Sequence, residues 1–138
     1  MSATINGHVS HWFTELPGPR PALPGDRDAD VCIVGAGYTG LWTAYYLLRA
    51  DPSLRITILE QRFAGFGASG RNGGWLSGLA PGHRGLLAKR HGRAAVIEWQ
   101  QALNGAVDEV IAVADRERID ADIVKGGTLD VARNQPQV

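Results

Sequence analysis

The 138-residue sequence predicts an α/β chain built on one β-α-β unit with parallel strands. Three observations point there. Val31-Cys32-Ile33-Val34 is a short apolar run rich in β-branched residues. Gly35-Ala36-Gly37-Tyr38-Thr39-Gly40 follows it directly, with glycine at its first, third and sixth positions. A second β-branched run, Arg55-Ile56-Thr57-Ile58-Leu59, ends in Glu60. Two strands flanking a helix within about thirty residues imply a right-handed crossover, because parallel neighbours cannot be joined by a tight hairpin.

Each element has its own local cause. Residues 1–30 carry Pro17, Pro19, Pro21 and Pro24. Every proline fixes its own φ and drives its predecessor out of the helical region, so this stretch is expected to be an extended arm. His11, Trp12 and Phe13 precede those prolines and are placed to pin the arm to a surface. Val31–Val34 reads as a strand buried on both faces of its sheet, which makes Cys32 an inert packing residue. Tyr38–Ala50 repeats Leu41, Ala44, Tyr45 and Leu48 at helical spacing, and Asp51-Pro52-Ser53 stops it.

Residues 65–85 contain eight glycines and predict a long irregular loop. Leu86–His91 suits a short helical turn. From Ala94 to about Glu117, Val96, Trp99, Leu103, Val107, Val110 and Ala114 recur in steps of three and four, the mark of an amphipathic helix. Gly105 inside it costs roughly 1 kcal/mol relative to alanine. Asp122–Val124 and Thr128–Val131, on either side of Gly126-Gly127, read as short strands opening a second β region. The expected division is an arm over 1–30, the nucleotide-binding part over 31–118 and the start of another domain over 119–138.

Composition removes several classes of function. Fourteen basic and fourteen acidic residues give zero formal charge, so no basic field is available to hold a nucleic acid. The lone Cys32 excludes an internal disulfide and a cysteine-rich zinc site, and fits a reducing cytoplasm. The N-terminus lacks the basic start and apolar run of a signal peptide, and no apolar run is long enough to span a membrane. A soluble, cytoplasmic chain is expected. His8, His11, His83 and His91 show no ligand spacing, and Asp120 and Asp122 read as a polar strand entry. No catalytic and no metal-ligating residue is therefore assigned.

The glycine pattern gains its meaning from context, since it follows a strand and opens a helix. Gly35 would allow the tight turn, Gly37 the close approach of a pyrophosphate, and Gly40 the packing of helix on strand. Unpaired amides and the positive dipole end at the helix start favour phosphate. Glu60, twenty residues beyond Gly40, stands where an acid binds ribose hydroxyls. Its charge would repel a 2′-phosphate, which disfavours NADP against FAD or NAD; a plain surface carboxylate is the alternative. Gly67-Ala68-Ser69-Gly70-Arg71-Asn72-Gly73-Gly74 supplies further backbone amides, hydrogen-bonding groups at Ser69 and Asn72, and a cation at Arg71. This second stretch favours FAD, with a flexible loop as the alternative. The fold is thus Rossmann-like, with an incomplete parallel sheet.

DADVCIVGAGYTGLWTAYYL, ITILEQ and GASGRNGGW together closely resemble the start of the D-amino-acid-oxidase-like family of FAD-dependent oxidoreductases. Within that family the likeness is strongest to the gamma-glutamylputrescine oxidase type, and it extends to the arm with Trp12 and to VKGGTLDVA. The resemblance implies a flavoenzyme that takes a hydride from an amine-bearing carbon, with the imine then hydrolysed and oxygen reoxidising the flavin. By the same resemblance, Gly35, Gly37, Tyr38, Thr39 and Gly40 would hold the pyrophosphate. Glu60 would bind the adenosine ribose, flanked by Gln61 and Arg62. Ala68, Ser69, Gly70, Arg71, Asn72, Gly73 and Gly74 would run beside the pyrophosphate and ribityl chain. Some relatives anchor flavin through a histidine near this loop; Ala68–Gly74 has none, so non-covalent FAD is expected.

The resemblance places the remaining FAD-domain strands, most of the substrate domain and the residues over the flavin after Val138. The expectation is an N-terminal fragment supplying the ADP-binding portion and inactive alone, since two strands and a helix bury little. A non-catalytic remnant acting as a nucleotide-binding or interaction module, and an NAD-binding dehydrogenase domain, are the competing readings.

Overall fold

A computed structural model of the chain describes residues 9–13, 15–127, 129 and 131–135. His8, part of the expected strand Thr128–Val131 (Thr128 and Asp130) and Pro136–Val138 lie outside the described residues. The chain divides into two compact units, Met1–Trp75 and Leu76–Val138.

In the first unit the expected β-α-β order is present: β1 (Val31–Val34), α1 (Tyr38–Ala50) and β2 (Ile56–Leu59). The strands pair in parallel, with Val31 opposite Ile56 and Val34 opposite Leu59. Asp30 and Arg55 clamp the entry to the sheet. The Asp30 amide donates to the Arg55 carbonyl at 2.9 Å, and the Arg55 guanidinium meets both Asp30 carboxylate oxygens at 3.1 and 2.9 Å. These bonds, with the Arg55 amide on the same carboxylate, hold Asp30 down to a pKa of about 2.

Gly35 leaves β1 at φ +99°, the left-handed region where only glycine is unstrained. Gly40 lets α1 lie on β1: a Cβ there would stand 2.1 Å from the Gly35 carbonyl oxygen and 3.2 Å from Ile33 Cγ2. At its other end α1 stops where Asp51 accepts from the Ser53 amide and hydroxyl at 2.9 and 2.6 Å, a turn made by the Asp-Pro-Ser sequence.

Two expectations about packing need correction. β1 is covered on one face only: Val31 and Ile33 are half-buried, whereas Cys32 is exposed and Val34 is 86% exposed. A β-α-β crossover sets its helix on one side, and the described residues of this unit supply no second layer. On α1, burial centres on Ala44 with Tyr45 and Leu47 beside it; Leu41 and Leu48 are exposed. The helix also carries an aromatic group, with half-buried Trp42 stacked on exposed Tyr46 at 5.6 Å and set edge-on to Tyr45 at 5.7 Å.

The second unit is a helical hairpin, α2 (Arg84–His91) and α3 (Arg93–Arg116), turning at Gly92 with φ +86°. α2 starts two residues earlier than its apolar pattern suggests because His83 caps it, its Nδ1 accepting from the Leu86 amide at 3.3 Å. The α3 stripe is the expected one. Val96, Trp99, Leu103, Val107 and Val110 are half-buried, and Val113 and Ala114 are buried. Gln100 ties the incoming segment to α3, donating to the Gly78 carbonyl and accepting from Arg84 at 3.0 Å. After α3, the expected strand Asp122–Val124 is irregular. Asp122 sits at φ +46°, which interrupts an extended run, and Val124 is exposed with no partner strand among the described residues. Lys125 instead pairs with Asp108 of α3.

Candidate functional site

The residues singled out in the sequence meet at the carboxyl end of the two strands, where β1 turns into α1. Helix geometry leaves the amides of the first turn of α1 without intrahelical partners and concentrates positive potential there. The N-cap is Gly37, which has no side chain to supply a cap. The turn therefore presents backbone donors outward, with Thr39 exposed among them.

Glu60 lies directly beside this turn. One carboxylate oxygen accepts from the Ala36 amide at 2.9 Å and the other from the Arg62 amide at 3.0 Å. Those two amides, that of Ala36 first, hold Glu60 below the ordinary carboxylate pKa against a weaker opposing effect of burial. The acid is therefore ionised at neutral pH, exposed, and fixed in direction. Gln61 and Arg62 are exposed beside it. A further bond from the Gly65 amide to the Ala36 carbonyl at 2.9 Å draws the following segment back under the turn.

The second glycine-rich stretch docks on the same helix start. Ala68–Gly70 forms one 3-10 turn within the region expected to be wholly irregular. The Tyr38 amide donates to the Ser69 hydroxyl at 2.9 Å, so a residue 31 positions away supplies the cap that Gly37 cannot. Asn72 organises the rest. Its Nδ2 donates to the Ser69 carbonyl at 2.7 Å and to the Tyr38 hydroxyl at 3.2 Å, and its Oδ1 accepts from the Gly74 amide at 2.8 Å. Asn72 thus acts on the loop itself, and the exposed Gly73 lies between its anchor points.

Arg71 donates from Nε to the Phe66 carbonyl at 2.8 Å, and its guanidinium stands 4.6 Å from the Phe66 ring centre. Arg62 stands 4.9 Å from the same ring, so one aromatic residue positions both cations. Phe63 meets Phe66 edge-on at 5.4 Å. This platform was not singled out from the sequence, although Phe63 and Phe66, three apart just after Glu60, were its available signal. An open cavity of about 550 Å³ lies against Phe66, Gly67, Ala68, Arg71 and Asn72. The glycine turn and Glu60 do not line it; they form an open ledge at the strand ends. Chemically the ledge combines donors suited to a diphosphate with a carboxylate suited to a vicinal diol. Among the described residues, no group of histidine, cysteine, aspartate and glutamate is placed to hold a metal ion, and no helix is long and apolar enough to cross a membrane.

Comparison with known proteins is consistent with this geometry. The family described as FAD dependent oxidoreductase (DAO) matches residues 30–138. Gamma-glutamylputrescine oxidoreductase of Escherichia coli (strain K12) is 36% identical over 134 residues, covering 95% of this chain and 31% of that protein. The probable oxidoreductase OrdL of Rhizobium meliloti (strain 1021) is 36% identical over 110 residues, 77% of this chain and 24% of that one. Thiamine thiazole synthase of Emericella nidulans is 47% identical over 51 residues, 37% of this chain and 14% of its own. No solved structure matches. The chain spans less than a third of the length of these relatives.

Proposed function

The chain belongs to the DAO family of FAD-dependent oxidoreductases, and on that premise we propose that it supplies the ADP-binding portion of a non-covalent flavoenzyme that oxidises an amine. The observation that carries this reading is the Glu60 carboxylate set on the Ala36 amide at 2.9 Å, which puts a fixed anion beside the phosphate-binding turn. The first-turn amides at Gly37, Thr39 and Gly40 would face the diphosphate, with Tyr38, whose amide is held by Ser69, beside them, and Glu60 would accept from the adenosine ribose hydroxyls. Gln61 and Arg62 would flank the adenosine. Ala68, Ser69, Gly70, Arg71, Asn72, Gly73 and Gly74 would hold the diphosphate and ribityl chain, with Arg71 offsetting phosphate charge. When bound, FAD supplies the hydride acceptor for the C–N oxidation.

The substrate is a small amine of the kind named for the Escherichia coli relative, and molecular oxygen is the reoxidant. On this reading residues 1–30 are an arm, 31–118 the first part of the FAD domain, and 119–138 the start of the substrate domain. The single thiol, Cys32, supports a cytoplasmic setting.

The test is flavin uptake. The purified protein is expected to retain the visible absorption bands of FAD through gel filtration, and Glu60→Ala to weaken FAD binding by about 10- to 100-fold, the usual weight of hydrogen bonds to a charged group. Unchanged affinity in Glu60→Ala would remove the ribose contact, and a protein that takes up NAD in place of FAD would overturn the flavin assignment.

A further inference from the structure

Trp12 and Phe13 lie outside residues 30–138, the part that matches the FAD-dependent family, yet both rest on the second glycine-rich loop. The Trp12 indole N–H donates to the Asn72 carbonyl at 2.7 Å. Its ring covers Gly74 so closely that a Cβ there would come within 2.9 Å of Trp12 Cζ2. Phe13 covers Gly70 in the same way, at 3.0 Å from a Cβ there, and meets Phe63 edge-on at 5.3 Å. On its other side the same loop is bonded to α1 through Ser69 and Asn72. The loop is thus held between the arm and the helix start.

Three of the seven residues Ala68–Gly74 are glycine, and glycine loses more conformational freedom on ordering than any other residue. Such a loop presents its amides in one arrangement before a ligand arrives only if outside contacts hold it. Asn72 is where those contacts converge, because its carbonyl takes the Trp12 bond while its side chain makes the internal ones. We propose that Trp12 and Phe13 are positioning residues, a latch by which the arm holds the 68–74 loop in the conformation that receives FAD. The inference rests on the reading that this loop serves the cofactor. Affinity for a ligand falls by the fraction of molecules in the competent conformation, so loosening the latch weakens FAD binding without touching a binding atom.

The experiment combines amide hydrogen exchange of the FAD-free chain with FAD titration followed by flavin fluorescence. Trp12→Phe removes the indole donor and keeps a ring; Phe13→Leu keeps apolar bulk. Each is expected to speed exchange in residues 70–74 and to weaken FAD binding by roughly 2- to 10-fold, the weight of one hydrogen bond or a comparable contact. Exchange in β1 and α3 should stay as in the unaltered chain, which a general loss of stability would not allow. Faster loop exchange with unchanged FAD affinity overturns the latch, as does unchanged exchange. Ser69→Ala and Asn72→Ala separate the two failures. If they weaken FAD binding and the arm variants do not, only the latch falls. If none of the four has an effect, or the unaltered chain takes up no FAD, the assignment of the loop to the cofactor falls and the latch with it.

Discussion

Replacing Gly40 by alanine tests the tightest Cβ-to-backbone approach among the described glycines. The added Cβ would stand 2.1 Å from the Gly35 carbonyl oxygen. Ordinary C···O contacts lie near 3.3–3.6 Å, so α1 would have to retreat by about 1 Å. The obstruction is backbone, and no side-chain rotation relieves it. Overpacking of this kind costs about 1–3 kcal/mol, against about 1 kcal/mol gained from the better helix former. A net loss of about 1 kcal/mol follows, or roughly 4 °C in melting temperature at about 4 °C per kcal/mol. Gly105→Ala is the internal control. It lies within α3 with nothing within 4 Å of its Cβ position and no positive φ. There only the propensity gain of about 1 kcal/mol operates, and the melt should rise by roughly 4 °C. Thermal melts followed by circular dichroism distinguish the two. If Gly40→Ala melts at or above the unaltered chain, the reading of Gly40 as the helix–strand spacer is wrong.

Two other expectations follow from the sheet. Asp30 has a folded pKa of about 2, set by Arg55, against about 3.9 in an unfolded chain. Its contribution to stability is complete above about pH 4 and is lost as pH falls toward 2; Asp30→Asn should flatten the stability profile in that window, and an unchanged profile would show that the clamp is idle. Cys32, on the uncovered face of β1, should react with a thiol reagent in the folded chain at the rate of an exposed cysteine, whereas protection until denaturant is added would mean that this face is covered in solution.

What was legible in the sequence was local. The Val31–Val34 run, the glycine spacing and the Ile56–Leu59 run each determine their own backbone, so strand, turn, helix and strand fall where their patterns place them. The α3 stripe is legible for the same reason, since 3.6-residue periodicity encodes which side is buried. Burial of β1 was not, because an apolar run is the same whether one face is covered or two. The early start of α2 depends on a histidine acting as N-cap, a role held far more often by serine, threonine, asparagine or aspartate. The strand expected at Asp122–Val124 failed because a strand is a property of a pair, and one segment's composition does not supply its partner. At the site, the positions of Glu60 and the glycine turn followed from spacing. The Ser69 cap on Tyr38 and the Trp12 bond to Asn72 join residues 31 and 60 apart, which no local pattern announces.

The contacts of Glu60 bear on whether the ledge is poised or blocked. A carboxylate offers about four lone-pair sites; the amides of Ala36 and Arg62 make its strongest bonds and the Gln61 amide adds a weaker one. Acceptor capacity remains for a ribose hydroxyl, so the proposed ligand need not displace the Ala36 or Arg62 amide. The same two bonds keep the carboxylate ionised well below neutral pH, and they are local to the turn that would carry the phosphates. A glutamate free to rotate would lose side-chain freedom on binding, whereas here that loss is already taken in folding. Ser69 differs in this respect: its hydroxyl already satisfies the Tyr38 amide, so diphosphate contacts would fall to the neighbouring first-turn amides while Ser69 keeps the two loops in register. On the proposed reading, phosphate binding and loop docking would share one helix terminus, and a change as distant as Trp12 would reach the cofactor through it.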